Sequence, residues 1–330
     1  MRRRLVLVAL ALALPVAALV VADVAGLRAG GASRVEVPAN ATVGALGPAL
    51  RRAGAIRIAP LWGAWAALTG RGDAPVRPGR HLVRRGDAWA TLAAQLADGS
   101  RRLARVTVPE GWTVPMIVAA LADSLAIPRD SLLAAARDGA ARARMKTEAP
   151  DLEGYLFPAT YEFLPRTGAR EALDSMLVAF DRRWDDAWDA ELARRGWSRH
   201  QAVTLASIVE REAKVAEERP RIAAVYRNRL ATGMRLQADP TVLYALGVFA
   251  KRVTFDDLRT DSPYNTYRVA GLPPGPIANP GRASLAAAVR PAADDTSLYF
   301  VAFPDGHHEF HATFDAHRRA IARARAAAGR

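Results

Sequence analysis

Residues 198–213, SRHQAVTLASIVEREA, contain the clearest helical signal in the chain. Ser198 followed three residues later by Gln201 is a capping-box pattern that closes a first helical turn from both sides. From Ala202 to Val209 the residues are apolar or nearly so all round, so this helix is expected to be buried on every face. The reading carries it to about Glu218, because a residue preceding proline disfavours helical backbone and Pro220 follows. A helix buried on all sides needs other elements packed around it. Periodicity places helices at about 113–125, 130–144, 169–195 and 220–232. The segment 271–281, GLPPGPIANPG, holds four prolines and three glycines and predicts a rigid, extended loop. The chain then reads as a strand at 298–303, an Asp305-Gly306 turn, a strand at 308–311 and a closing helix from about Thr313. The fold class expected is α+β, with helices dominating.

Toward the N-terminus one pattern occurs twice. Val35-x-Val37-Pro38 precedes Thr42-Val43, Leu46 and Leu50, and Val106-x-Val108-Pro109 precedes Thr113-Val114, Ile117 and Leu121 at the same offsets. Each copy predicts a short strand, a turn, a threonine N-cap and an amphipathic helix. A looser copy runs from His81-Leu82-Val83 to Leu92 and Leu96. Such units fit a small LysM-like carbohydrate-binding module over 34–105, and equally fit generic α+β packing.

Before them, Met1-Arg2-Arg3-Arg4 leads into eighteen uncharged residues, Leu5 to Ala22. As a helix this run is roughly 27 Å long, close to the hydrocarbon thickness of a bilayer. The three arginines orient it with a cytoplasmic tail at 1–4, an anchor at 5–27 and the rest outside the cell membrane. A cleaved signal peptide has a shorter apolar core and a better small-x-small site than ALVVADVAG supplies. Either reading sends the residues after about 28, the segment 106–330 included, to the extracytoplasmic side of the plasma membrane.

The formal charge is +13, nearly all of it from arginine, with lysine only at 146, 214 and 251. A basic surface suits nucleic acid, anionic lipid or a carboxylate-bearing polymer, and export across the membrane removes nucleic acid. The absence of cysteine excludes disulfides, thiolate catalysis and cysteine zinc sites.

The central helix ends in two carboxylates, Glu210 and Glu212. Burial favours the neutral form of a carboxyl group, and a protonated glutamic acid is what cleavage of a glycosidic bond requires. Against this, Lys214 lies four residues beyond Glu210 and could hold it in an ion pair. Two residues apart on a helix, the glutamates point about 200° away from each other, so they are no pair for one cleft. Periodicity leaves the choice between them open. The segments 233–247 and 262–281 concentrate amides and phenols beside glycine and proline, as a sugar groove does, although these are also ordinary turn residues. The histidines at 307, 308, 311 and 317 follow no metal-ligand spacing and are expected in scattered surface or structural roles, so neither a metal nor another cofactor is expected.

Seven motifs in order, LEGYLFPATY (152–161), ASIVEREA (206–213), VYRNRL (225–230), GMRLQADPTVLYALG (233–247), SPYNTYRVAGLPPGPIANPG (262–281), LYFVAF (298–303) and HEFHATFDAH (308–317), resemble the YceG-like family of endolytic murein transglycosylases. With the anchor and the LysM-like segment the resemblance covers almost the whole chain. It departs at Ala159, where the family commonly has aspartate, and at an additional histidine beside His308. The resemblance implies a lytic transglycosylase that cuts the β-1,4 bond between N-acetylmuramic acid and N-acetylglucosamine in nascent strands, leaving a 1,6-anhydro end. It implies Glu210 as the acid/base and a mechanism that needs no cofactor, while Gln237, Asp239, Tyr264, Asn265 and Tyr267, on the loops rich in amides and phenols, are the candidates for the groove. Peptidoglycan strands, membrane lipid, penicillin-binding proteins and the elongation and division machinery are the partners it implies. A water-using muramidase and a catalytically silent peptidoglycan-binding scaffold are the competing readings.

Overall fold

The computed structural model describes residues 2–27, 29–248 and 252–329, with backbone alone for 2–12. The chain divides into two compact units, residues 1–105 with 162–167, and residues 106–161 with 168–330. The fold is α+β, with fourteen α-helices and three two-stranded sheets among the described residues. In the first unit the order is α1 (Arg2–Val24), β1 (Ala32–Val37), α2 (Gly47–Arg52), α3 (Ala59–Leu68), β2 (Gly79–Arg84) and α4 (Trp89–Asp98). Strand β3 (Ala104–Thr107) follows. The second unit contains α5 (Val114–Leu125), α6 (Arg129–Ala136) and α7 (Gly139–Met145), after which β4 (Thr160–Phe163) pairs with β3. Then come α8 (Ala169–Asp181), α9 (Asp186–Ala193), α10 (Arg199–Glu212), α11 (Arg219–Ala231), α12 (Asp239–Ala245) and α13 (Arg282–Val289). A hairpin of β5 (Tyr299–Ala302) and β6 (His308–His311) and the helix α14 (Phe314–Ala327) close the chain.

Among the described residues no helix is long and apolar enough to cross a membrane. Residues 5–12 of the expected anchor fall where only backbone is described. The last turn of α1 is tied into the first unit, where buried Asp23 accepts a hydrogen bond from the Arg57 amide at 2.7 Å. There β1 and β2 pair antiparallel, Val35 opposite His81 and Val37 opposite Gly79. The inward valines meet Leu46, Leu50, Trp62, Trp89 and Leu92 in one core, and the Trp62 indole N–H is satisfied by the Val43 carbonyl at 2.7 Å.

Several expected boundaries shift. The long helix drawn over 169–195 breaks at Trp184-Asp185, where Asp185 caps α9, and the one over 130–144 breaks at Asp138, which caps α7. Neither threonine of the repeated pattern acts as a cap: Thr42 precedes a short 3₁₀ turn at 44–46, and Thr113 occupies the N-cap position of α5 without a capping bond. Both carboxylate oxygens of Glu153 take the Val114 N–H instead, at 3.2 and 3.1 Å, so the orphan donor of α5 is met from another segment. The helix from Ser198 has its full capping box but stops at Glu212, not Glu218, because Ala213 is extended. Pro220 enters the first turn of α11, where a missing N–H costs nothing, so the break falls ahead of it.

Three side chains on one stripe of α10 hold the proline-rich loop along the helix. The His200 Nε2–H donates to the Pro274 carbonyl at 3.0 Å, Ser207 Oγ accepts from the Ile277 N–H at 3.0 Å, and Glu210 Oε2 accepts from the Gly281 N–H at 2.9 Å. Since a carbonyl can only accept, His200 carries its hydrogen on Nε2, and Nδ1 accepts from the Tyr155 hydroxyl at 3.1 Å. The loop comes so close that a Cβ at Gly154, whose φ is +88°, would lie 2.5 Å from Pro276 Cγ and 2.9 Å from Val203 Cγ1. Gly154→Ala therefore combines left-handed strain with overpacking and is expected to cost about 2 kcal/mol or more. Chemical denaturation of the two proteins measures it, and an unchanged midpoint would contradict the close packing.

Candidate active site

At the end of α10 the backbone sends its two glutamates into different surroundings. Glu210 lies on the loop side. Besides the Gly281 amide it faces the Arg219 guanidinium at 3.4 Å, and its side chain is 6% exposed. The partner weighed in the sequence, Lys214, is not the one it meets. A second carboxylate sits beside it: a Cβ on Gly281 would fall 1.9 Å from Glu110 Oε1, so Glu110 rests directly on that glycine. Partial burial and the neighbouring charge of Glu210 push the Glu110 carboxyl up.

Glu212 points to the other side, into a cavity of about 260 Å³ lined by Tyr226, Arg229, Gln237, Asp239, Tyr267, Phe300 and His317. The Tyr226 hydroxyl donates to Glu212 Oε1 at 2.9 Å. Burial pushes the Glu212 carboxyl up to about 7, with the Asp239 charge acting in the same direction and the Tyr226 hydrogen bond and Arg229 opposing. The negative end of the α10 dipole also disfavours a carboxylate in its last turn. Arg229 is buried and already committed, donating from Nε to the Leu298 carbonyl at 2.7 Å and from Nη1 to that of Leu236 at 2.5 Å. It supplies charge to the cavity without a direct hydrogen bond to Glu212.

Three of the five expected groove residues meet here. Gln237 holds φ +51°, a left-handed conformation uncommon outside glycine, and its N–H donates to the Thr266 carbonyl at 3.2 Å. The Tyr267 hydroxyl donates to Asp239 Oδ1 at 2.6 Å. Thr266 Oγ1 accepts from the Ala238 N–H at 3.0 Å, cross-linking the two loops that carry these side chains.

The other two expected groove residues lie elsewhere. Asn265 is fully buried and staples its own loop, its Nδ2 donating to the carbonyls of Leu258 and Thr260 and its Oδ1 accepting from the Tyr267 N–H. Tyr264 packs on Tyr244, ring centroids 4.9 Å apart, near Asp151 and Glu153. Three residues of the cavity wall, Tyr226, Arg229 and Phe300, carried no individual signal in the sequence, although each falls within a quoted motif, and His317, expected in a surface or structural role, also lines it. His317 stacks on Tyr299 at 5.3 Å, and burial pushes it toward the neutral form.

Residues 35–323 match the YceG-like family. The chain belongs to the YceG-like family. A Bacillus subtilis (strain 168) protein named endolytic murein transglycosylase is 33% identical over 301 residues, which cover 87% of this chain and 83% of that one. A Streptococcus pneumoniae serotype 2 protein of the same name is 28% identical over 306 residues, 81% of this chain and 54% of its own length. The crystal structure of a YceG-like protein from Listeria monocytogenes superposes with a TM-score of 0.60 at 31% identity, covering 88% of this chain and all of that one.

Because burial raises the Glu212 carboxyl above its unfolded value, the folded YceG-like chain binds the extra proton between pH about 4.5 and about 7. Stability from this group is full below that window and falls as pH rises through it. Glu212→Gln has no proton to lose, so its unfolding free energy is expected to gain on wild type between pH 5 and pH 8. Parallel denaturation curves at the two pH values check the sign, and a constant difference would remove the raised carboxyl.

Proposed function

We propose that this protein is an endolytic lytic transglycosylase whose acid/base is Glu212. The observation that carries the assignment is the Glu212 carboxyl, raised to about 7, at the wall of a polar cavity shared with Gln237, Asp239 and Tyr267. A general acid works best when its pKa lies near the working pH. Glu210, the implied choice, lies on the loop side instead, its carboxylate engaged by Arg219 and the Gly281 amide and outside the wall of this cavity. The shared name of the Bacillus and Streptococcus relatives supports the reaction class.

In this reading protonated Glu212 donates to the β-1,4 oxygen between N-acetylmuramic acid and N-acetylglucosamine, and the C1–O bond breaks as oxocarbenium character develops at C1. The carboxylate formed then takes the proton of the same sugar's C6 hydroxyl, whose oxygen closes onto C1 as the 1,6-anhydro bond. The proton returns to Glu212 and no water is consumed. An intramolecular nucleophile gains its advantage from proximity. Tyr226 orients Glu212, while Gln237 and the Asp239–Tyr267 pair are available to sugar hydroxyls and amides. Asp239 also gives the hydrolytic alternative its one support, since a second carboxylate in the cavity could activate a water.

The uncharged run behind three arginines supports an uncleaved anchor at 5–27 with the catalytic unit outside. Its strand–helix–helix–strand order supports a LysM-like role for the first unit. An enzyme so tethered would act on strands as they leave the membrane and work beside penicillin-binding proteins and the elongation and division machinery.

Glu212→Gln is expected to lower cleavage of purified murein by about 10²–10⁴-fold while remaining folded by circular dichroism. Glu210→Gln, losing an ion pair but keeping an acceptor for Gly281, is expected to cost about 1–3 kcal/mol of stability and to retain cleavage. Loss of activity confined to a folded Glu210→Gln would return the acid role to Glu210. Mass analysis of the products separates the two chemistries, because anhydro ends are lighter than hydrolytic ends by one water.

A further inference from the structure

Helix α11 has a second working face. Tyr226 and Arg229 line the Glu212 cavity, whereas Ala224, Arg227, Asn228 and Ala231 lie on the opposite stripe and line a separate cavity of about 490 Å³. Its polar groups come chiefly from Arg195 and Arg227, its apolar wall from Trp197, Leu230 and Pro291, and no acidic side chain lines it. The Arg227 guanidinium carbon lies over the Trp197 ring, 4.6 Å from its centroid. Its Nη1 is buried without a hydrogen-bond partner, a costly state for a charged donor. Arg195 is exposed and donates from Nη1 to the Val289 carbonyl at 2.6 Å.

The nearby carboxylates are already taken. Glu191 pairs with Arg290, and Asp295 pairs with Arg221 at 2.7 Å. Two guanidinium groups thus share a cavity with no counter-charge of the protein's own, and burial, with the charge of Arg195 acting in the same direction, disfavours the charged form of Arg227. A guanidinium is a planar fork of donors, which matches the two oxygens of a carboxylate better than a spherical ion. The tryptophan, leucine and proline wall is suited to the short aliphatic groups that flank a peptide carboxylate.

We propose that this cavity binds the carboxylates of an acidic peptide and, resting on the reading of the protein as a murein-cleaving enzyme, that the peptide is the stem carried by the glycan strand. The catalytic cavity would then hold sugar while the far face of α11 holds the stem. Preference for peptide-bearing strands would arise there, without a contribution from Glu212.

Calorimetric titration of the full chain with a stem tetrapeptide released from murein tests this. Binding is expected at low salt, to weaken as salt is added, and to fall at least tenfold for Arg195→Gln/Arg227→Gln or when the peptide carboxylates are amidated. In cleavage assays Arg195→Gln, at an exposed position, is expected to raise KM for peptide-bearing strands with kcat unchanged, and to leave strands stripped of peptide unaffected. Undiminished binding by the folded double variant would overturn the site. Equal affinity for inorganic phosphate would overturn its assignment to a peptide. Peptide binding is read without cleavage, so an error in the catalytic assignment would show in the Glu212→Gln assay and leave this titration unchanged.

Discussion

Asn279 uses every hydrogen-bonding group it has, and the second unit is organised around that fact. Its N–H and its Nδ2 both donate to the Trp112 carbonyl, at 2.8 and 2.9 Å, and its own carbonyl accepts from the Gly111 N–H at 2.9 Å. Oδ1 accepts from the Leu156 N–H at 2.8 Å, and Nδ2 also donates to Glu153 Oε1 at 2.7 Å. One fully buried side chain therefore joins three segments far apart in sequence: the turn before α5, the 152–161 motif and the proline-rich loop. Each buried donor or acceptor left without its partner would cost about 1–3 kcal/mol, so the arrangement has little freedom to slip. Glu153 sits in the same network, raised to about 8 by burial, and accepts from Val114, Asn279 and Tyr244. Its role is to end a helix and anchor a loop. A strongly raised carboxyl is thus not by itself a mark of chemistry, and Glu212 is distinguished from Glu153 by the open cavity in front of it.

The loop held by Asn279 then defines the two sides of α10. On one side His200, Ser207 and Glu210 are all engaged with loop backbone, which leaves that stripe no free polar group for a substrate. On the other, Glu212 is the last residue before the backbone turns extended at Ala213. Had the helix run on to Glu218, Glu212 would lie in mid-helix instead of its final turn. The early stop places the carboxyl at the negative end of the helix dipole and lets α11 bring Tyr226 and Arg229 to it.

Much of this was legible in the sequence. The capping box at Ser198, the burial of 202–209, the extended loop at 271–281 and the final hairpin follow from local patterns, each set by residues close together in the chain. The 200° between Glu210 and Glu212 was legible for the same reason. Which of them faces a cavity was not, because that depends on Arg219, Gly281 and Tyr226, whose approach is fixed by tertiary packing. The groove residues divide along the same line. Composition identified loops rich in amides and phenols, but only the fold separates Asn265, consumed by its own loop, from Gln237 and Tyr267, which reach the cavity. Thr113 makes no capping bond where Pro115, at the second helical position, has no N–H to give, and the Val114 N–H before it goes to Glu153, thirty-nine residues away in sequence.

The cavity's electrostatics follow from how its charges are tethered. Arg229 spends two nitrogens on backbone carbonyls and is not free to collapse onto Glu212, while Asp239 is held by the Tyr267 hydroxyl. A mobile arginine there would pair with the carboxylate and hold it ionised, removing the proton that glycosidic cleavage needs. A site with no cation at all would resist the ionised state that must form once the proton is given away. A fixed guanidinium at the wall, together with one phenol hydrogen bond, moderates burial without cancelling it, and the carboxyl is left near 7. Gln237 is held at a left-handed φ in the same wall, a strain that the cross-bonded loops can sustain because Thr266 binds the backbone on both sides of it. A partly protonated acid, a tethered cation and a residue with strained backbone thus face one small polar space.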